Sequence, residues 1–441
     1  MKVVLLCGGV GKRMHPIRKE KFLLNFLGET LLERHIRFAR ELGLNDFVVV
    51  GNEHNIEKIK DVCKNINANF EFVVQTNKNG MAGALISAED VIRNDEILVV
   101  KPTDIVEKTA YEKLISESKN GSYDSYILGY VVEKYFSGGY LSINENNEMI
   151  DIVEKPEKGK EPSNLINIVL HVHKRIDVLL RYMKETKRST DDVYEYSMKK
   201  MVKDGYKFKV VKYDGFWTAI TYPWKILEAM NYFLNIIDEP VISPNAKIHE
   251  TAVIDGNVII EDGARVFEYA VIRGPAYIGK NSIVGNHALI RNSHIGDNSV
   301  VGKDSEIKGS YIGDNCWFHT NYVGDSVVSD NCSFGSGAVT ANFRFDERNI
   351  KVKVGDQVID TGLDKLGVIM GENSKVGINA CLMPGVRIGP NSMVGPGSVL
   401  FKDLEQGKML LLRDTFYEIK DNNIILSEEK KDELMRRLID E

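Results

Sequence analysis

A period of six governs the second half of the chain. Ile248, Ile254, Ile260, Val266, Ile272, Ile278, Val284 and Ile290 stand in strict register, and two places before each is a small or slender residue: Ala246, Ala252, Val258, Ala264, Ala270, Ala276, Ser282 and Ala288. Neither an α-helix nor a twisted sheet repeats every six residues, so the pattern requires a solenoid of hexapeptide coils. Ile295, Val301 and Ile307 continue it after a slip of one. Val376, Leu382, Ile388, Val394 and Leu400 then restore it, with Ser374, Ala380, Val386, Ser392 and Ser398 two places before. In a triangular coil the branched residue fills a side of the prism and the small one turns the corner. Gly with Asn or Asp between them, as in Gly279-Lys280-Asn281, Gly296-Asp297-Asn298, Gly313-Asp314-Asn315 and Gly389-Pro390-Asn391, supplies corners with permissive backbone. An antiparallel sandwich fails because alternation of period two is missing.

The first 230 or so residues read differently, as strand-like runs alternating with amphipathic helical patterns. Strands are expected at 3–7, 47–50, 70–74 and 97–100, and helices at 30–42, 56–65 and 81–92. Such alternation builds a doubly wound α/β domain with a mostly parallel sheet, whose ligands bind at the carboxyl ends of the strands. Further strands are expected at 123–132, 139–143, 149–153 and 165–172, then a helix at 224–237. Pro240 and Pro244 bracket a connector just before the hexads, which sets domains at 1–239 and 240–404. Beyond Leu404 the pattern dissolves into a charged tail, 405–441, whose end from Leu426 reads as a weakly amphipathic helix.

Charge narrows the partners. With 57 basic and 63 acidic residues and a net charge of −6, nothing favours nucleic acid or an anionic membrane. Five scattered cysteines without CxxC spacing indicate neither a disulfide framework nor a zinc site, which fits a reducing cytoplasm. The apolar run Val3 to Cys7 is too short for a signal segment or a membrane span.

Leu6-Cys7-Gly8-Gly9-Val10-Gly11-Lys12-Arg13 closes the first strand. Glycines let backbone N–H groups approach a phosphate, and Arg13 can hold it with a forked guanidinium. This stretch resembles the GGxGxR loop of the sugar-1-phosphate nucleotidylyltransferases, and Lys21 with Gly28 matches that family's following lysine and glycine. Other landmarks appear in order. The resemblance implies nucleotide binding by Leu6, Gly8, Gly9, Gly11, Gln75, Gly80 and Met81, with Gln75 at the base, and sugar-phosphate binding by Gly139, Glu154 of Glu154-Lys155-Pro156, and Asn167. It implies Arg13 and Lys21 as catalytic cations and Asp104 as a magnesium ligand. Ala219 stands where a second ligand, Asp or Asn, is expected, and Ile168-Val169 replaces a small-Gly pair.

In the solenoid, Phe318-His319-Thr320-Asn321-Tyr322-Val323-Gly324-Asp325 interrupts the hexads. It resembles the H-x-x-Y-x-G-D segment of the acetyltransferase half of the bifunctional N-acetylglucosamine-1-phosphate uridylyltransferase/glucosamine-1-phosphate N-acetyltransferase family. Phe334 to Asn342 resembles the same family's G-A-G-T-I-T-x-N segment, and the stretch 354–367 is similar to its archaeal branch. A neutral imidazole suits removal of a proton from an attacking amine near neutral pH. The resemblance implies His319 as that base, with amino-sugar-phosphate binding by Arg291, Lys308, Tyr322 and Ser333, and acetyl-CoA binding by Asn342, Ser336, Gly377 and Gly395.

The reading is therefore an α/β nucleotidyltransferase domain followed by a left-handed parallel β-helix. It would use magnesium, with UTP and acetyl-CoA as co-substrates, and assemble as a homotrimer or a dimer of trimers through the β-helix. Ala219 and Val169 support one rival, an acetyltransferase with a nucleotide-binding but inert first domain; a second, from resemblance to two-domain chains that use the solenoid for assembly, is a non-catalytic regulator or scaffold.

Overall fold

In the computed structural model, residues 1–77, 79–188 and 190–413 are described. Two compact units divide the chain. The first holds Met1–Val10, Glu20–Leu24 and Glu29–Ala219, and the second holds Gly11–Lys19, Asn25–Gly28 and the chain from Ile220.

The first unit is built on a nine-stranded sheet. Lys2–Leu6 lies at its centre, parallel to Ile97–Val100 on one side and to Asp46–Gly51 on the other, with Asn69–Val74 parallel beyond. Successive residues of these strands enter different cores: Val4, Val48, Val50, Ile97 and Val99 face one, and Val3, Leu5, Val49, Leu98 and Val100 the other. Burial on both faces is why the runs read as continuously apolar. Leu165–His173 continues the sheet in the antiparallel sense, carrying Gly139–Ile143 and Met149–Glu154 on one path and Ser125–Val131 with Phe208–Tyr213 on another.

Most expected elements form within a residue or two. Helix Leu31–Glu41 starts on a capping box made by Thr30 and Glu33. The single helix expected over 81–92 is instead two, Gly80–Ser87 and Glu89–Ile92. Ser87 Oγ donates back to the Gly83 carbonyl at 2.8 Å and accepts from Thr76 N–H at 3.1 Å, the kind of side-chain competition that bends a helix. Helices Lys108–Asn120, Ile176–Glu185 and Val193–Lys203 lay outside the expectation.

The second unit carries helix Lys225–Asn235 and then the β-helix, whose short strands stack into three parallel sheets of eight, nine and eight strands. From Val258 onward the inward hexad residues are buried, and Ile248 and Ile254 of the first coil pack against them. Ile248 stands over Val266 and Val284, then Val301, Phe318 and Phe334, so the coil shortens from eighteen residues to seventeen and then sixteen. The hairpin Lys351–Val354 and Gln357–Asp360 is inserted between coils. The stack does not stop at 404: Met409–Leu410 pairs with Met393–Val394 and adds a strand. The helix expected from Leu426 lies outside the described residues.

The corner asparagines, rather than the glycines beside them, take the left-handed backbone, with φ of 56° at Asn281, 54° at Asn298 and 57° at Asn315. The glycines are needed for clearance: a Cβ on Gly296 would lie 2.5 Å from the carbonyl carbon of Gly313 in the next coil. The small residues form a hydrogen-bonded ladder, Ser299 N–H donating to Ser282 Oγ at 2.9 Å and Cys316 N–H to Ser299 Oγ at 3.0 Å. No helix among the described residues is long and apolar enough to cross a membrane.

Candidate functional sites

At the carboxyl end of the central strand, Gly8 and Gly9 continue from Leu6. Asn55 Nδ2 donates to the Cys7 carbonyl at 2.9 Å and Asn52 Nδ2 to that of Gly8 at 3.3 Å, which fixes the start of the loop. A Cβ on Gly8 would fall 1.9 Å from Gln75 Oε1. Gln75 Nε2 is committed to backbone, donating to the carbonyls of Asn77 at 2.7 Å and Gly80 at 3.1 Å. Gln75 thus clamps the glycine loop against the start of the helix that carries Met81. Lys21 is half-buried in this unit. Arg13 belongs to the other unit, where its guanidinium lies 5.8 Å from the centre of the Tyr222 ring.

Gly139 and Glu154 are paired across adjacent strands, and a Cβ on Gly139 would lie 3.0 Å from Glu154 Oε2 and 3.4 Å from Asn167 Cβ. The three side-chain positions therefore converge. Lys155 Nζ stands 3.1 Å from Glu154 Oε1. Beyond expectation, Glu195 at the start of helix Val193–Lys203 is buried with Oε2 lacking a hydrogen-bond partner. Burial, reinforced by the Glu154 charge, pushes its carboxyl up to about 8.

Asp104, the expected magnesium ligand, is buried and pairs in register with Ala219 across a two-stranded ribbon. A methyl group thus faces the position where a second carboxylate would complete a metal site. Lys101 Nζ lies 3.0 Å from Asp104 Oδ1. Among the described residues no group of three or more His, Cys, Asp or Glu is arranged to hold a metal ion. One carboxylate already neutralised by an ammonium does not fit a protein-held magnesium.

In the β-helix, the residue following each paired Val284, Val301, Phe318, Phe334, Val376 and Val394 forms one corner column: Gly285, Gly302, His319, Gly335, Gly377 and Gly395. The glycines permit close stacking, since a Cβ on Gly302 would lie 2.2 Å from the His319 carbonyl oxygen and one on Gly377 2.6 Å from Pro396 N. His319 is the single side chain among these six, while His249 and Phe267 occupy the same corner in the two coils before them. The coil it opens is the one shortened to sixteen, and Asn321 bridges the gap from the small-residue position. Asn321 Oδ1 accepts from His319 N–H at 2.7 Å, and its Nδ2 donates to the carbonyls of Gly335 at 2.8 Å and Ala338 at 2.9 Å. The His319 ring is left exposed, with no hydrogen bond to another described residue.

The remaining expected residues form two groups. Arg291 and Lys308 are register partners on neighbouring coils, and Glu306 pairs with Tyr322. Glu306 Oε1 holds Arg291 at 2.7 Å, while Asn342 Nδ2 donates to Asp325 Oδ2 at 2.5 Å and Tyr322 Oη at 3.3 Å. Burial and the neighbouring carboxylates raise the Tyr322 phenol above its ordinary value, keeping it neutral. Ser336, whose carbonyl accepts from Asn379 N–H at 3.0 Å, lies instead with Gly377 and Gly395 along the glycine column. Ser333 pairs in register with Trp317.

Comparison with known proteins matches residues 2–235 to the nucleotidyl transferase family, 236–342 to the GMPPB C-terminal domain, and 367–402 to bacterial transferase hexapeptide repeats. The bifunctional protein GlmU of Methanocaldococcus jannaschii is 34% identical over 436 residues, 94% of this chain and 98% of that protein. The chain belongs to the bifunctional GlmU family. The GlmU protein of Methanococcus maripaludis strain S2 is also 34% identical, over 96% of this chain and all of that protein. A bifunctional sugar-1-phosphate nucleotidylyltransferase/acetyltransferase of Sulfurisphaera tokodaii is 32% identical over 92% of this chain and 99% of that protein.

Within this GlmU-family chain, Lys101, Glu195 and Asn321 are site-adjacent residues that sequence reasoning missed. Lys101 sits in an apolar run and gives no periodic signal. Glu195 reads as one of many charges on a helix. Asn321 was detectable, because it alone is a large residue in the small-residue column.

Proposed function

We propose that this chain acetylates an amino-sugar phosphate on the β-helix and then joins the product to a nucleotide in the first domain. The observation that carries the reading is His319, an exposed imidazole with no hydrogen bond to another described residue, standing between Gly302 and Gly335 on the corner that Gly377 and Gly395 continue, with Ser336 beside it.

Acetyl-CoA would lie along that column, where the missing side chains give a thin pantetheine arm access to backbone. Glucosamine-1-phosphate would be held through its phosphate by Arg291 and Lys308, with Tyr322 and Ser333 beside it. His319 takes the proton of the attacking amine as nitrogen bonds to the thioester carbonyl carbon. The C–S bond then breaks, and CoA leaves as a thiol. Asn342, whose amide protons are taken by Asp325 and Tyr322, would lie beside the acetyl group. In the first domain an oxygen of the sugar phosphate attacks the α-phosphate of UTP and pyrophosphate departs. Lys21 neutralises the phosphates there, while Gly139, Glu154 and Asn167 orient the sugar. No step is assigned to a protein-held metal, given Lys101 on Asp104 and Ala219 opposite. The enzyme would work in the cytoplasm as a homotrimer or dimer of trimers packed through the β-helix.

CoA release from acetyl-CoA with glucosamine-1-phosphate, and pyrophosphate release from UTP with N-acetylglucosamine-1-phosphate, test the two halves on one preparation. Turnover in both supports the reading. Acetyl transfer without pyrophosphate release would favour the second reading, a first domain that binds without turnover, for which the Asp104–Lys101–Ala219 arrangement is the specific support.

A further inference from the structure

Behind Asn167 runs a chain of buried hydrogen bonds that the reaction does not use. His171 Nε2 lies 2.7 Å from Asn167 Oδ1 and His171 Nδ1 2.7 Å from Tyr194 Oη. Tyr194 Oη is also 2.7 Å from His173 Nε2, whose Nδ1 is 2.8 Å from Ser125 Oγ. All five residues are buried. In a regular strand Asn167 and His171 would be about 13 Å apart. The ladder to Ser125–Val131 slips between Ile168 and His171, and the bulge brings the two side chains together.

Donor counting gives the chain a direction. The carbonyl oxygen of Asn167 can only accept, so His171 Nε2 carries the proton and His171 Nδ1 accepts from Tyr194. A tyrosine hydroxyl has one proton, so its second contact is an acceptance from His173 Nε2–H, and Ser125 Oγ–H then donates to His173 Nδ1. Desolvation lowers both imidazoles, His173 to about 3, and holds the Tyr194 phenol well above its ordinary value, so every member stays neutral. His171 also interacts with the Ile168 backbone, and the end of the route that makes no hydrogen bond to another described residue is Asn167 Nδ2.

We propose that His171, Tyr194, His173 and Ser125 are positioning residues that lock the Asn167 amide with its oxygen inward and present its NH2 to the sugar phosphate as a hydrogen-bond donor. This rests on the reading of Asn167 as a sugar contact. The consequence is a preference in ligand chemistry. A donor at this point pairs with a hydroxyl or amide carbonyl oxygen of the sugar, and it cannot pair with an ammonium group, which has no lone pair.

Binding of N-acetylglucosamine-1-phosphate by calorimetry, together with the KM for that compound and for UTP, tests the relay. An unchanged KM for UTP serves as the check that the first unit is folded. Asn167→Asp keeps the inward acceptor but replaces the outward donor with an acceptor. It should weaken sugar-phosphate binding by about tenfold or more, the cost of an unpaired polar contact, and leave the KM for UTP unchanged. His171→Leu should act in the same direction. His171→Gln, whose amide offers a donor and an acceptor with the same polarity as the imidazole, should recover most of the affinity that His171→Leu loses. Undiminished binding by Asn167→Asp would show that the amide presents its oxygen instead. Glutamine no better than leucine would reduce the relay to packing. If the wild-type chain neither bound nor used the sugar phosphate, the sugar site itself would be misassigned, an outcome distinct from variants that bind as the wild type does.

Discussion

Glu195→Gln is the substitution whose effect can be worked most directly from the structure. The Glu195 carboxyl is 4% exposed, one of its oxygens has no partner, and its apparent pKa stands at about 8 against 4.5 for a free side chain. Above pH 4.5 the unfolded chain has released this proton while the folded one keeps it, so folding becomes less favourable as pH rises, and the loss levels off above pH 8. At pH 7 the difference spans about 2.5 pH units, or about 3 kcal/mol at 1.36 kcal/mol per unit. Glutamine has the shape of the protonated acid and no proton to lose. The variant should match the wild type near pH 4 and exceed it progressively, by about 3 kcal/mol at pH 7. Urea unfolding followed by tryptophan fluorescence at pH 4, 6, 7 and 8.5 gives the comparison, read on the transition of the unit that holds Glu195, because the chain has two units. A stabilisation independent of pH, or none at pH 8.5, would refute the claim that a neutral carboxyl is buried there.

His319→Ala should lower CoA release by about two to four orders of magnitude while leaving pyrophosphate release intact; equal acetylation by the variant would remove His319 as the base. Ala219→Asp combined with Lys101→Met places two free carboxylates face to face, and calorimetry with manganese should show binding at least about tenfold tighter than in the wild type. Equal affinities would mean that these two residues do not set it. Gly302→Ala forces a methyl group against the His319 carbonyl and should cost about 1–3 kcal/mol of stability along with most acetyl transfer, measured by thermal unfolding and CoA release; a variant as stable and active as the wild type would show that the column tolerates side chains.

The hexads made the solenoid legible because each inward residue repeats at a fixed interval, and the break in that repetition drew attention to His319. Three of the four parallel strands were legible as apolar runs because both faces are buried, while Asn69–Val74 at the sheet edge is only partly covered. Ile248 and Ile254, equally regular in sequence, are only partly buried, since the first coil has a neighbour on one side alone. What stayed hidden depends on contacts between distant segments. His171 and His173 look like the polar half of an alternating strand, and only Tyr194, more than twenty residues away, makes them one network. Lys101 next to Asp104 gave no pattern at all until the turn brought its ammonium back. The strand Met409–Leu410 escaped notice because the spacing that feeds it, sixteen residues, is not a multiple of six.

The coil stack also has a kinetic meaning. Strands of each sheet join only to those in the coils before and after, so a mismatch anywhere is felt by its neighbours and fades along the axis. Contacts close over sixteen to eighteen residues except at the hairpin insertion, where Phe334 must find Val376 across a much longer loop. That one closure is the costliest along the stack, because a longer loop loses more entropy on joining. The coils bearing Arg291, Lys308 and His319 all precede it. During synthesis they can assemble as a template against which the later coils, carrying Gly377 and Gly395, are then laid down.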